Sequence, residues 1–320
     1  MIQNWGMWAT SVSQPQAGDE HPNRWRQQVA TTGDRNWWRK LTKKHPFLPP
    51  EKPMSECRPP WRSLISKNGV VTSQPFRPSA DRLLPDLTIK QEIALLARAL
   101  WREGYNDHLA GHITVNMHDG TLLCNPWLLL WNELRPEHII RIDMDGNLVE
   151  GDWPVPLGIP LHLELHKARP DVEVAVHNHP LFGTVWADLG EIPPALDQSS
   201  VLGGGGDVAL VREYGGSVDD PGSAASAVAA MGDAELVLLS GHGTFVLGNS
   251  IRAVHQRAVA LEQRCQRAWH VRAVGGDLTS PLPQWFIDRM KQSDGDKFHG
   301  FWEAMVRQEL RADPTLLTHS

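Results

Sequence analysis

Cysteine is scarce in this chain: three in 320 residues, Cys57, Cys124 and Cys265, far apart and without Cys-x-x-Cys spacing. That excludes a disulfide framework or a zinc ribbon and fits a reducing cytoplasm. No apolar stretch approaches the length needed to cross a membrane. The first residues, MIQNWGMWATSVSQPQAGDE, lack a basic start followed by an apolar run, so no secretory signal is expected. Excess positive charge is missing too, and a formal net charge of −6 gives no global attraction for nucleic acid or an acidic membrane surface. What is present is an apolar fraction of 41%, enough to bury a core in one large domain or two ordinary ones. These features predict a soluble, intracellular globular protein with no nucleic-acid or membrane partner.

Residues 1–85 differ from the rest. They hold six of the 14 tryptophans, with clustered Pro and Arg, and HPFLPPEKPMSECRPPW has too many prolines for a continuous helix or a central strand. Three readings stand: a disordered extension, an arm docking through its tryptophans, or a mis-assigned start with Met54 as a later candidate. From residue 86 the pattern is orderly. Leu87, Ile89, Ile93, Leu96 and Leu100 recur at helical spacing, Thr88 or Asp86 can cap the start, and Gly104 ends the run. Asp119-Gly120 predicts one hairpin turn and Asp145-Gly146-Asn147 another. A short helix is expected from near Pro156 to before Pro170, then a strand in VEVAVHNH, a helix in SAASAVAAMG, a strand pair in AELVLLSGHGTFVLG and a long helix from Ser250. The pattern favours a mixed or antiparallel sheet covered by helices over 86–276, with one further helix in the tail, 277–320. VLGGGGDVAL, residues 201–210, lacks the context of a nucleotide loop and reads as a flexible loop bordering the active site.

Side chains alternate along a strand, so His177 and His179 share a face with Asn178 opposite, and two imidazoles can converge on one ion. Two exposed histidines at a strand end is the competing account. His242 lies between Gly241 and Gly243 after an apolar strand, and glycines on both sides let the backbone turn sharply and approach a ligand closely. Three neutral imidazoles with open positions suit zinc, manganese or iron(II). His162 and His166 share one face of the short helix, and one of them could turn to the ion. For His166 the polar edge of an amphipathic helix is as good an account.

The segments GYNDHLAGHITV, EGDWPVPLGIPLHLELHKARPDVEVAVHNHP and LLSGHGTFVLGNSIRAVHQRAVALEQRCQ resemble the class II aldolase/adducin family, over about Leu87 to Val274. The resemblance implies a three-layer α/β/α sandwich around a central, largely antiparallel sheet, assembled as a homotetramer with sites between subunits. It also implies that His177, His179 and His242 bind one divalent ion per subunit, zinc first, with manganese or iron(II) as alternatives. Sugar-phosphate aldolases of the family place a ligand and acid–base glutamate where this chain has Gly158. His162 follows four residues later and is expected as fourth ligand or proton carrier; the adducin-like branch often has a histidine at this position. Glu164 falls on another helix face and is discounted. The phosphate-binding pattern is altered as well: Gly111-His112, Asn125-Pro126-Trp127-Leu128 and Pro156-Leu157 offer few of the amide and hydroxyl donors an anion cradle needs.

The expected chemistry is therefore a metal-dependent lyase, aldolase or decarboxylase, acting on a small unphosphorylated carbonyl or carboxylate through a metal-stabilised enolate. Without the glutamate, the proton carrier is sought in His112, His108 or Tyr214. Each has a structural alternative, a satisfied histidine or a surface tyrosine. An iron(II) oxygenase on the same scaffold and a non-catalytic, adducin-like binding protein are the competing functions.

Overall fold

The computed structural model describes residues 83–202, 207–212, 220–291 and 300–318. The first helix, α1 (Ile89–Arg102), starts at a capping box: the Thr88 hydroxyl accepts the Gln91 N–H and the Gln91 side chain accepts the Thr88 N–H at 2.8 Å. Its buried face carries Ile93, Leu96 and Leu100. Gly104, in the left-handed region at φ 99°, turns the chain out of the helix.

Eight strands follow: β1 (Gly111–Asn116), β2 (Thr121–Cys124), β3 (Ile140–Asp143), β4 (Leu148–Glu150), β5 (Val174–Asn178), β6 (Val208–Val211), β7 (Leu236–Leu239) and β8 (Gly243–Gly248). They form one sheet in the order β4-β3-β2-β1-β5-β8-β7-β6, antiparallel throughout except for the β6–β7 pair. The two hairpin turns fall at Asp119-Gly120 and Asp145-Gly146, each glycine with positive φ. The expected loop at 201–210 is corrected at its end: Val208–Val211 is the edge strand beside β7.

Helices cover both faces. On one side lie α1, α3 (Leu181–Leu189), α5 (Ile251–Ala273) and α7 (Phe301–Ala312), packed on Ile113, Val115, Val174, Val176, Leu236 and Val246. On the other lie α2 (Ile159–Ala168) and α4 (Pro221–Met231), packed on Ala175, Val237, Phe245 and Leu247. The result is an α/β/α sandwich with a largely antiparallel core sheet. A short α6 (Gln284–Lys291), absent from the sequence reading, precedes α7. α7 belongs to the main core: Trp302 and Val306 are buried in it, Glu309 pairs with Arg98 and Arg102 of α1, and Glu303 pairs with Arg252 of α5. The Trp-rich extension lies, up to residue 82, outside the described residues. No helix among the described residues is long and apolar enough to cross a membrane.

Candidate metal centre

Alternation along the strands sorts the polar residues. On β1, Ile113 and Val115 face the main core, so His112 and Thr114 face the α2 layer; on β5, Val174 and Val176 face the core, so His177 joins them. The antiparallel register sets His112 directly beside His177, with ring centroids 5.5 Å apart. α2 lies over this row and adds His162 and His166. His179 stands just past the end of β5, and His242 sits in the turn between β7 and β8.

Glycine makes the close approach possible. Gly241 adopts φ 68°, and a Cβ on Gly243 would lie 2.5 Å from the His179 ring and 2.7 Å from the Asn178 carbonyl. Both glycines flanking His242 are therefore required by geometry.

The Nε2 atoms of the three histidines converge. His242 Nε2 lies 2.9 Å from His177 Nε2 and 3.2 Å from His179 Nε2, and all three ligand atoms fall within 4.8 Å of one another. His177 Nδ1 is 2.9 Å from the Thr244 carbonyl, which can only accept, so that nitrogen carries the proton. His179 Nδ1 donates in the same way to Asp107 at 2.8 Å. In the neutral rings, Nε2 of both is a bare lone pair aimed at the common centre. Burial first, and the neighbouring histidines second, push the His177 pKa well below its ordinary value and keep that ring neutral. Burial works to raise the Asp107 pKa, but hydrogen bonds from His179 and His108 outweigh it and hold the carboxyl below its usual range. His242 Nε2 lies within reach of both lone pairs and completes a set of three nitrogens that one cation could share. The donor set fits a divalent ion that takes imidazole nitrogen.

The other expected residues take different places. His162 lies outside the group of three: its ring is fully buried against Phe245 and its Nδ1 is committed to Thr114 at 2.8 Å. His112 is 7% exposed, and burial, followed by His179 and His242, lowers its pKa to about 4. His108 holds positive φ, bonds Asp107 at 3.1 Å and is 93% exposed, so it flanks the centre from solvent. Tyr214 lies outside the described residues. Glu164 pairs with Lys167 at 2.9 Å on the outer face of α2.

Sequence reasoning missed Asp107 and Thr114. Asp107 was visible next to His108, but nothing local said that it would reach His179, 72 residues on. Asn125 is a third: its side chain accepts the Ile113 N–H at 2.7 Å and donates to the Gly111 and Pro126 carbonyls, bracing the loop beside His112.

Fold and site together define a helix-covered, mostly antiparallel sheet with an imidazole centre at its strand ends. The chain belongs to the class II aldolase and adducin family: the pattern of the "Class II Aldolase and Adducin N-terminal domain" matches residues 91–269, more than half of its length. It is 33% identical over 180 residues to the 5-methylthioribulose-1-phosphate/5-deoxyribulose-1-phosphate aldolase of Rhodospirillum rubrum, covering 54% of this chain and 76% of that one. It is 30% identical over 203 residues to the 3,4-dihydroxyphthalate decarboxylase of Arthrobacter keyseri, covering 59% and 81%. An adducin-related protein of Schizosaccharomyces pombe is 27% identical over 53% of this chain and 55% of its own. Among solved structures, the L-fuculose 1-phosphate aldolase of Glaciozyma antarctica superposes with a TM-score of 0.61 at 21% identity, over 74% of this chain and 98% of that one. That likeness is one of fold.

Proposed function

We propose that this protein is a metal-dependent carbon–carbon lyase, an aldolase or decarboxylase, acting on a small unphosphorylated carbonyl or carboxylate compound. The observation that carries this reading is the convergence of three Nε2 atoms, two of them with the ring proton engaged elsewhere. His177, His179 and His242 would hold the ion, zinc first, with manganese or iron(II) also compatible with an all-nitrogen set. A divalent ion at this centre supplies Lewis-acid stabilisation of negative charge on a substrate oxygen.

The remaining work falls to the chain's own residues. Asp107 orients His179 and the Thr244 carbonyl orients His177, which keeps both lone pairs on the ion's side. An unphosphorylated substrate is favoured because donors of the loop after β2 are already engaged: the Trp127 N–H is given to Pro154 at 2.9 Å and the Asn125 amide to two carbonyls. The relative named as a decarboxylase of an aromatic dicarboxylate supports a carboxylate substrate. A homotetramer and a cytoplasmic location accompany this reading.

The test is elemental analysis of full-length protein purified anaerobically without added metal, beside His177→Ala. Near-stoichiometric zinc or manganese, lost in the variant, is the expected result and directs assays to retro-aldol cleavage and decarboxylation. Iron in the same amount would replace the lyase reading with an oxygenase. No metal in either protein would overturn the centre and favour a non-catalytic, adducin-like role.

A further inference from the structure

We propose that His112 stands in for the missing carboxylate of this site, and that a buried hydrogen-bond chain through His166, Thr114 and His162 fixes which of its nitrogens faces the substrate. The inference rests on the lyase reading above for its purpose, but not for its geometry.

Hydrogen-bond direction can be followed from one end of the chain to the other. The Val172 carbonyl can only accept, so His166 Nδ1, 3.2 Å away, is the donor. Burial keeps His166 neutral, its pKa lowered to about 4, so its Nε2 is a lone pair and accepts the Thr114 hydroxyl proton at 2.8 Å. Thr114 has one proton and has spent it. Its oxygen must therefore accept from His162 Nδ1, also at 2.8 Å. His162 is held neutral by burial as well, which leaves its Nε2 as a lone pair.

That lone pair is sealed from solvent and has no donor. The His112 ring lies edge-on to His162, with centroids 5.7 Å apart, and its Nδ1 is likewise sealed and without a partner. A buried polar atom left unmatched is destabilising. Two such atoms on rings in contact, one of them necessarily an acceptor, form a matched pair when His112 carries its proton on Nδ1. His112 then has a lone pair on Nε2, in the same tautomer as His177 beside it in the sheet.

Position completes the argument. A Cβ on Gly158, at the N-terminus of α2, would fall 2.3 Å from His112 Cε1 and 2.9 Å from its Nδ1. The imidazole fills the space into which a side chain at 158 would project. An ionised carboxylate is an acceptor only, and a neutral imidazole fixed as the Nδ1–H tautomer offers a single acceptor too. His112 therefore receives a substrate hydroxyl where a carboxylate would have done so, and His162 is a positioning residue.

The experiment is a long-range proton–nitrogen spectrum of full-length protein labelled with nitrogen-15 histidine, recorded metal-free and with zinc added, His112 being assigned from His112→Gln. The expected result is His112 as the Nδ1–H tautomer in both states. In Thr114→Val or His162→Leu, the His112 Nε2 resonance should move toward the protonated position. A wild-type His112 protonated on Nε2 overturns the proposal without recourse to any variant. So does an unchanged His112 tautomer in both variants. Zinc that perturbs none of His177, His179 and His242 would instead sink the metal reading while leaving the tautomer result standing.

Discussion

At the scale of single residues, the site depends on groups that never touch the ion. Asp107 is the clearest: its carboxylate holds the His179 ring, and removing such a partner costs about 10–100-fold in metal affinity. Asp107→Ala should therefore weaken zinc binding by that factor in a competition titration, and Asp107→Asn, whose amide oxygen still accepts from Nδ1, should weaken it less. Equal affinity in wild type and Asp107→Ala would mean that His179 is held by other contacts. Gly158 is the second case. An alanine there drives its Cβ into the His112 ring, so Gly158→Ala should lower stability in urea melts. Trimming the ring should remove the clash, so the cost should shrink in a His112→Ala background, with a coupling of about 0.5–3 kcal/mol between the positions. Additive costs would show that the two residues do not share that space.

At the scale of elements, the sequence was legible wherever a cap or turn is local. The helix cap, offered by Thr88 or Asp86 and taken by Thr88, the Asp119-Gly120 turn and the glycines around His242 all act within a few residues of themselves. The helix α3 was not legible, and the reason is physical. Pro180 at its N-cap offers no side-chain acceptor, and the N–H groups of Phe182 and Gly183 are instead taken by Glu262, about 80 residues away on α5, at 2.9 and 2.7 Å. β6 was missed for a related reason: it pairs on one side only, in parallel, with a strand far along the chain. The histidine chain through Thr114 likewise needs β1 and α2 brought together before it exists.

Glu262 also makes α3 sensitive to pH. Burial raises its pKa to about 7, against the two amide bonds that lower it. Between about 4.5 and 7 the folded state keeps a proton that the unfolded chain has released, so this group's contribution is present below 4.5 and is lost as pH rises through 7. The full effect is bounded at about 3 kcal/mol. Glu262→Gln should accordingly cost most stability near pH 4.5 and progressively less toward pH 7.5. Parallel melting profiles for the two proteins would show that Glu262 is ionised throughout.

For the molecule as a whole, Glu262 is outnumbered. His112, His162, His166, His177 and His255 are all buried with pKa values pushed down, chiefly by desolvation. Each stays neutral in the fold but takes up a proton on unfolding below pH 6.5, so each contributes stability that is lost as pH falls toward 4. The net expectation is a protein that unfolds in mild acid with uptake of several protons, and that resists acid better with zinc bound, because a ligand of the folded state adds stability by mass action. His255 separates this global effect from the metal centre. It lies on α5 against Trp302, with neither ring nitrogen hydrogen-bonded, its pKa lowered to about 4 by burial against a smaller opposing pull from Glu303. Replacing it with an apolar side chain removes a proton-uptake site and two unsatisfied buried atoms, at some cost in packing. His255→Leu should therefore unfold at a lower pH than the wild type in an acid titration followed by circular dichroism, with zinc affinity at pH 7.5 unchanged. An identical acid midpoint would exclude His255 from the group that titrates on unfolding, and a fall in zinc affinity would place it in communication with the centre across the sheet.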